Sequence, residues 1–92
     1  MNFEWDERKA KLNKRKHGVS FNEAETVFYD ENALVIPDPD HSHSEDRFII
    51  LGISRNLREL VVCHCYRGDE SIRIISARKA DKSESAHYWR IR

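Results

Sequence analysis

Arg73-Ile74-Ile75-Ser76-Ala77-Arg78-Lys79-Ala80 is the stretch that decides how this chain is read. It is an apolar segment framed by cations. Ile72, Ile74, Ser76 and Arg78 alternate with Arg73, Ile75 and Ala77, and a period of two sends the two sets to opposite faces of a β-sheet. The segment is apolar enough to be a central strand. Its end delivers Arg78 and Lys79 as fixed cations to a sheet edge or mouth. Guanidinium groups presented from a rigid platform suit phosphate recognition. The competing reading is that these charges are solvated strand ends, because isolated surface charges contribute little.

C-terminal to this strand, Asp81 and Glu84 have the spacing of a helix cap. They predict a helix to the end of the chain that carries His87, Tyr88 and Trp89. On the N-terminal side, Glu59 to Arg67 and Arg47 to Ser54 read as two more strands, separated by turns at 55–58 and 68–70. Short connections of this kind make an antiparallel meander. Residues 33–36 add a fourth strand, ended by Pro37. Both faces of the 47–54 strand are apolar, which predicts cover on both sides for much of its length. Residues 38–46 form a polar loop rich in turn residues. Its Asp and His residues match no zinc spacing, so it is read as a solvated hairpin loop and no metal is assigned.

At the start of the chain, Phe3-Glu4-Trp5 is a short extended segment with two aromatics on one face. Asp6 is a good N-cap, and a helix is predicted over 6–17, closed by Gly18. Lys14, Arg15, Lys16 and His17 crowd its last turn. Complementing the helix dipole explains cations there, but not six in one short helix. Ser20 and Glu23 have capping-box spacing and open a second helix to Asp30, with Ala24, Val27 and Phe28 on its core face. The sum is an α+β domain spanning 1–92. It has a four-stranded, mainly antiparallel sheet, two N-terminal helices and one C-terminal helix, with the helices packed on one sheet face. The other face is left partly open for a binding site.

Composition narrows the functional classes. The chain has 92 residues, 39% apolar and 35% charged, which suits a soluble, ordered domain with a small core. No apolar run is long enough for a membrane helix, and the start lacks the pattern of a signal peptide. The cytoplasm is the expected compartment. Cys63 and Cys65 share a strand face but lie too far apart for an easy disulfide. Net charge is zero, yet residues 1–18 carry six Lys/Arg against three Asp/Glu, residues 19–46 none against eight, and residues 47–92 ten against five. A clustered basic face, and not the total, decides whether nucleic acid binds.

With these residues in hand, the chain resembles the BrnT family of bacterial type II toxins, which are similar to the RelE ribonuclease toxins. The matching stretches are Phe3-Glu4-Trp5-Asp6 with the basic helix, Lys16-His17-Gly18-Val19-Ser20-Phe21 with Glu23-Ala24, and Val27-Phe28. Further matches are Arg47-Phe48-Ile49, Arg67-Gly68 and Arg73-Ile74-Ile75-Ser76-Ala77-Arg78. They run in family order over nearly the whole chain. The resemblance implies a RelE-like fold and a ribonuclease that arrests growth. It also implies a ribbon-helix-helix antitoxin that neutralises the toxin, forms a complex of two copies of each, and alone contacts DNA.

Metal-free RNA cleavage needs a base near the 2′-hydroxyl, a donor for the leaving 5′-oxygen, and cations for the charge building on phosphorus. It requires no cofactor. Arg67 and Arg78 are the first electrostatic candidates, since each ends a strand of one sheet and the resemblance marks both stretches. Arg47 and Arg73 follow. His17 or Tyr88, with Lys16, is expected to assist proton transfer; His64 reads as a packed residue. Lys79 and Trp5 complete the expected RNA contacts, although Trp5 also suits a core wall. The alternative is a non-catalytic module that binds nucleic acid or a partner in operon repression. The absence of a helix-turn-helix or ribbon-helix-helix pattern weakens it as a DNA reader.

Overall fold

The computed structural model describes residues 1–42 and 45–90. His43, Ser44, Ile91 and Arg92 lie outside the described residues. The chain runs β1 (Asn2–Glu4), α1 (Glu7–His17), α2 (Phe21–Thr26), β2 (Leu34–Pro37), β3 (Phe48–Ile53), β4 (Glu59–Arg67), β5 (Ser71–Lys79) and α3 (Lys82–Arg90). Short 3₁₀ turns at Val27–Tyr29 and Pro39–His41 lead out of α2 and β2. The strands form one sheet in the order β1-β5-β4-β3-β2.

Three expectations are corrected. The sheet has five strands and is mixed: the Phe3 segment, three residues long, pairs in parallel with β5, Phe3 opposite Ile72. A segment that short carries no readable alternation, and its partner is distant in sequence. The helices are not all on one face. Helices α1 and α2 cover one side of the sheet, where Val19, Phe21, Ala24 and Val27 pack on Ile50, Leu60, Val62, Ile74 and Ala77. Helix α3 lies on the other side, and Tyr88 packs on Leu51 and Val61. The third correction concerns β5. Cys63 faces Ser76, but His64 faces Ile74, so Ile75 is an extra residue at a β-bulge. Beyond it the alternation changes phase. Ile72, Ile74 and Ala77 all face the core, whereas Arg73, Ser76 and Arg78 share the opposite face.

The helix ends follow the local chemistry. Asp6 accepts from the amides of Arg8 and Lys9, and Gly18, at φ 71°, closes α1. Asp81 and Glu84 form a reciprocal capping box at α3. Ser20 caps α2 through the Glu23 amide, but the Glu23 side chain does not reach back. It turns inward to Ser54 and to the Nε and Nη2 of Arg58. This clamp ties α2 to the β3–β4 turn. Gly52 is needed where the 3₁₀ turn after α2 crosses β3: a Cβ there would lie 2.9 Å from Val27 Cγ1 and 3.0 Å from Asp30 Oδ2.

β5 is longer than β1, so its edge beyond Arg73 has no neighbouring strand. Asn13 of α1 takes that place. Its amide donates to the Ala77 carbonyl at 2.8 Å and to the Val19 carbonyl at 3.0 Å, and accepts from the Ala77 amide at 3.1 Å. One side chain thus imitates a strand and seals a buried edge. Asn13→Ala orphans three backbone groups and is expected to lower unfolding free energy by about 2–4 kcal/mol. Urea denaturation checks this; a loss under about 1 kcal/mol would mean that water replaces the amide.

Candidate functional site

The phase change at Ile75 builds a cationic face. Along β4 the residues Val61, Cys63, Cys65 and Arg67 face the same way, and across from them stand Arg78, Ser76, Arg73 and Ser71 of β5. Three arginines therefore recur along one sheet face. Each meets a carboxylate: Arg67 with Glu45 at 3.5 Å, Arg73 with Glu4 at 3.0 Å, and Arg78 with Glu84. The last pair is bidentate, with both N···O distances at 2.8 Å, and Glu84 raises the pKa of the Arg78 guanidinium. Ion pairs this open to solvent are weakly held. An incoming phosphodiester, which offers the same pair of oxygens to the fork, can take the carboxylate's place.

Next to Arg78 the face dips into a hollow of about 190 Å³. Arg47, Arg78, Asp38, His41, Cys63 and Ser76 are on its wall. The Pro39–His41 turn shapes one side. Asp38 is buried, and its Oδ2 lies 2.9 Å from His41 Nδ1. The turn is tied at its neck, because the Asp38 amide donates to the Arg47 carbonyl and the Arg47 amide donates to Ser42 Oγ. The His41 side chain remains 64% exposed. Arg47 has no ion-pair partner among the described residues. Burial, then the Asp38 charge, pushes the Cys63 thiol pKa up against the pull of Arg47. That shift disfavours the thiolate, the form in which a cysteine acts as a nucleophile.

A second hollow of about 210 Å³ adjoins it. Lys9, Lys16 and His17 of α1 line its far side, and Ile75 and Ser76 line both hollows. The bulge is thus the ridge between a basic helix and the arginine face. A wider apolar groove of about 380 Å³ lies between α3 and the Leu34, Ile36 and Leu51 side chains. Ser83, Glu84, His87 and Arg90 of α3 line it too; it holds one arginine where the smaller hollow holds two, Arg47 and Arg78.

The structure brings together part of the residue set expected from sequence. Arg78 and Arg47 share the first hollow; Lys16 and His17 line the second; Arg67 and Arg73 lie further along the same face. Three residues fall elsewhere. Tyr88 is 2% exposed and donates to Asp30 Oδ2 at 2.6 Å, which fixes α3 and leaves the hydroxyl inside the protein. Trp5 packs edge-on against Phe21, ring centres 5.9 Å apart, as a core wall. Lys79 stands opposite Leu60, on the other face of the sheet from Arg78. His64 is fully buried beside Phe28 and Tyr66, and desolvation lowers its pKa. Asp38 and His41, which sequence reading placed in a solvated loop, also line the first hollow. The available signal was an acid and a histidine three apart with Pro39 between them, which suits one turn of 3₁₀ helix with proline at its start.

Comparison with known proteins bears on this arrangement. Residues 5–84 match the family described as ribonuclease toxin, BrnT, of type II toxin-antitoxin system. Among solved structures the chain is similar to the crystal structure of the Brucella abortus ribonuclease toxin, BrnT. The identity is 30%, the TM-score 0.69, and the alignment covers 89% of this chain and 99% of that one. No curated protein matches it. The matched span holds both hollows, the three arginines of the sheet face together with Arg47, and the Asn13 and Glu23 clamps. The chain therefore belongs to the BrnT family of ribonuclease toxins of type II toxin–antitoxin systems.

Proposed function

We propose that this protein, as one domain over 1–92 on a RelE-like scaffold, cleaves RNA at the paired hollows and does so without a metal. The observation that carries the reading is the shared ridge. Ile75 and Ser76 join a hollow holding Arg47 and Arg78 to one holding Lys16 and His17. A single strand laid across that ridge puts one phosphate against the guanidinium forks and the next against the basic helix. Arg47 and Arg78 stabilise the charge that grows on the phosphorus oxygens. Arg67 and Arg73 extend the track along the sheet, and Lys9, Lys16 and His17 hold the neighbouring nucleotides. Tyr88, Trp5 and Lys79 have no part in this account, for the geometric reasons above.

The partner is an antitoxin, as the family implies. We take it to be a ribbon-helix-helix protein that binds as two copies to two toxins, and to make whatever contact the complex has with DNA. The setting is the cytoplasm; among the described residues no helix is long and apolar enough to cross a membrane. Induced expression in a bacterial host tests the reading. Growth arrest with new RNA 5′ ends is expected, both suppressed when the antitoxin is co-expressed. Cleavage by purified protein is expected to persist in excess chelator. No arrest and no new ends would leave a binding module as the better account.

A further inference from the structure

We propose that His41, held by Asp38, is the group that takes the 2′-hydroxyl proton during RNA cleavage. The inference rests on the ribonuclease reading and gives that site its missing base.

Arginine forks bind phosphate but stay protonated, so the hollow needs another residue as base. His41 and Asp38 lie on the same wall as Arg47 and Arg78. The contact between His41 Nδ1 and Asp38 Oδ2, at 2.9 Å, has a direction. A carboxylate accepts, so it holds the proton on Nδ1 and leaves the Nε2 lone pair free. Asp38 is buried and fixed through its backbone to Arg47 and Ser42, whereas the His41 side chain is 64% exposed. A buried acid orienting an exposed imidazole beside two cations is the arrangement that a general base on an anionic substrate requires.

The step balances with water alone. Nε2 takes the 2′-hydroxyl proton while the oxygen's electron pair forms a bond to phosphorus. The bond from phosphorus to the 5′-oxygen breaks, and its electron pair leaves on that oxygen, which takes a proton from water. The hydroxide left behind is neutralised by the His41 imidazolium. The products are a 2′,3′-cyclic phosphate and a 5′-hydroxyl end. His17 lines the neighbouring hollow, where no carboxylate orients it among the described ion pairs.

The test uses the purified chain and a fluorescent RNA oligonucleotide that spans a site mapped with wild-type protein. His41→Ala is expected to lower kcat by about 100-fold or more, with KM within about threefold of wild type. Added imidazole should restore part of the rate, which a purely structural role would not allow. Asp38→Asn should lower kcat by about tenfold, and a thermal melt separates that loss from unfolding. His41→Ala cleaving within about threefold of wild type overturns the inference and leaves the ribonuclease reading intact. So does a loss in His17→Ala, rescued by imidazole, with His41→Ala unaffected. Failure of wild-type protein to cut any RNA overturns the ribonuclease reading itself, and the inference with it.

Discussion

Arg78→Ala is expected to slow RNA cleavage by about 100- to 1,000-fold, the loss that follows removal of one preorganised donor to a developing oxyanion. Arg78 sits at the junction of the hollow and the arginine row, on a strand bonded on one side to β4 and sealed on the other by Asn13. Little reorganisation is then needed when charge builds on the phosphate. Arg78→Lys keeps the charge but loses the fork, and should recover only part of the rate. The stability cost is expected to be about 1 kcal/mol, because the Arg78–Glu84 pair is only partly buried and still reached by solvent. Glu84 also keeps its second contact, from the Asp81 amide, so the α3 cap survives. Steady-state kinetics beside a thermal melt checks both halves. A rate within about tenfold of wild type would move the phosphate site away from this hollow.

The largest stability effect is expected at Arg58. Glu23 is 4% exposed and shares its carboxylate between Ser54 and the Arg58 fork. Arg58→Ala leaves that carboxylate buried with its counter-ion gone, a change that costs about 3–5 kcal/mol. The pH dependence gives a second reading. Hydrogen bonds from Arg58, with a smaller one from Ser54, hold the Glu23 pKa down to about 2 from 4.5, against the opposing effect of burial. A lowered folded-state pKa means that the stabilisation is fully present above pH 4.5 and fades as pH falls toward 2. The full drop is about 2–3 kcal/mol, discounted because Arg58 is partly exposed. In Arg58→Ala this slope should flatten. Glu23→Gln added to Arg58→Ala should recover stability, since a neutral amide is cheaper to bury than a lone charge. Urea unfolding at pH 7 and pH 3 checks all three; a double variant no more stable than Arg58→Ala would assign the loss to packing.

Much of the fold was legible because local chemistry and periodicity agree. Asp6 and Gly18 bound α1, Asp81 and Glu84 open α3, and three strands alternate between clear turns. What was not legible depends on contacts distant in sequence. β1 is a strand only because β5, some seventy residues on, offers it an edge. Nothing local says which sheet face α3 will cover; that is settled when Tyr88 reaches Asp30 and packs on Leu51. Glu23 had the spacing of a capping residue, but its carboxylate turns inward to Ser54 and the Arg58 fork. The arginines of the candidate site were named from sequence, and the Asp38–His41 pair was not. His41 stands in a run of polar residues that reads as loop, and only folding shows that Asp38 beneath it is buried.

The bulge has a further consequence. Arg73 and Arg78 are five positions apart, an odd spacing that would put them on opposite sides of an unbroken strand. The extra residue converts odd to even for the arginines while the apolar residues around it still reach the core. Side-chain identity at Ile75 is then less constrained than the number of residues in the segment. Related chains should vary freely in what stands there and seldom in how many residues separate the two arginines, because losing one would turn either the core or the arginine face inside out.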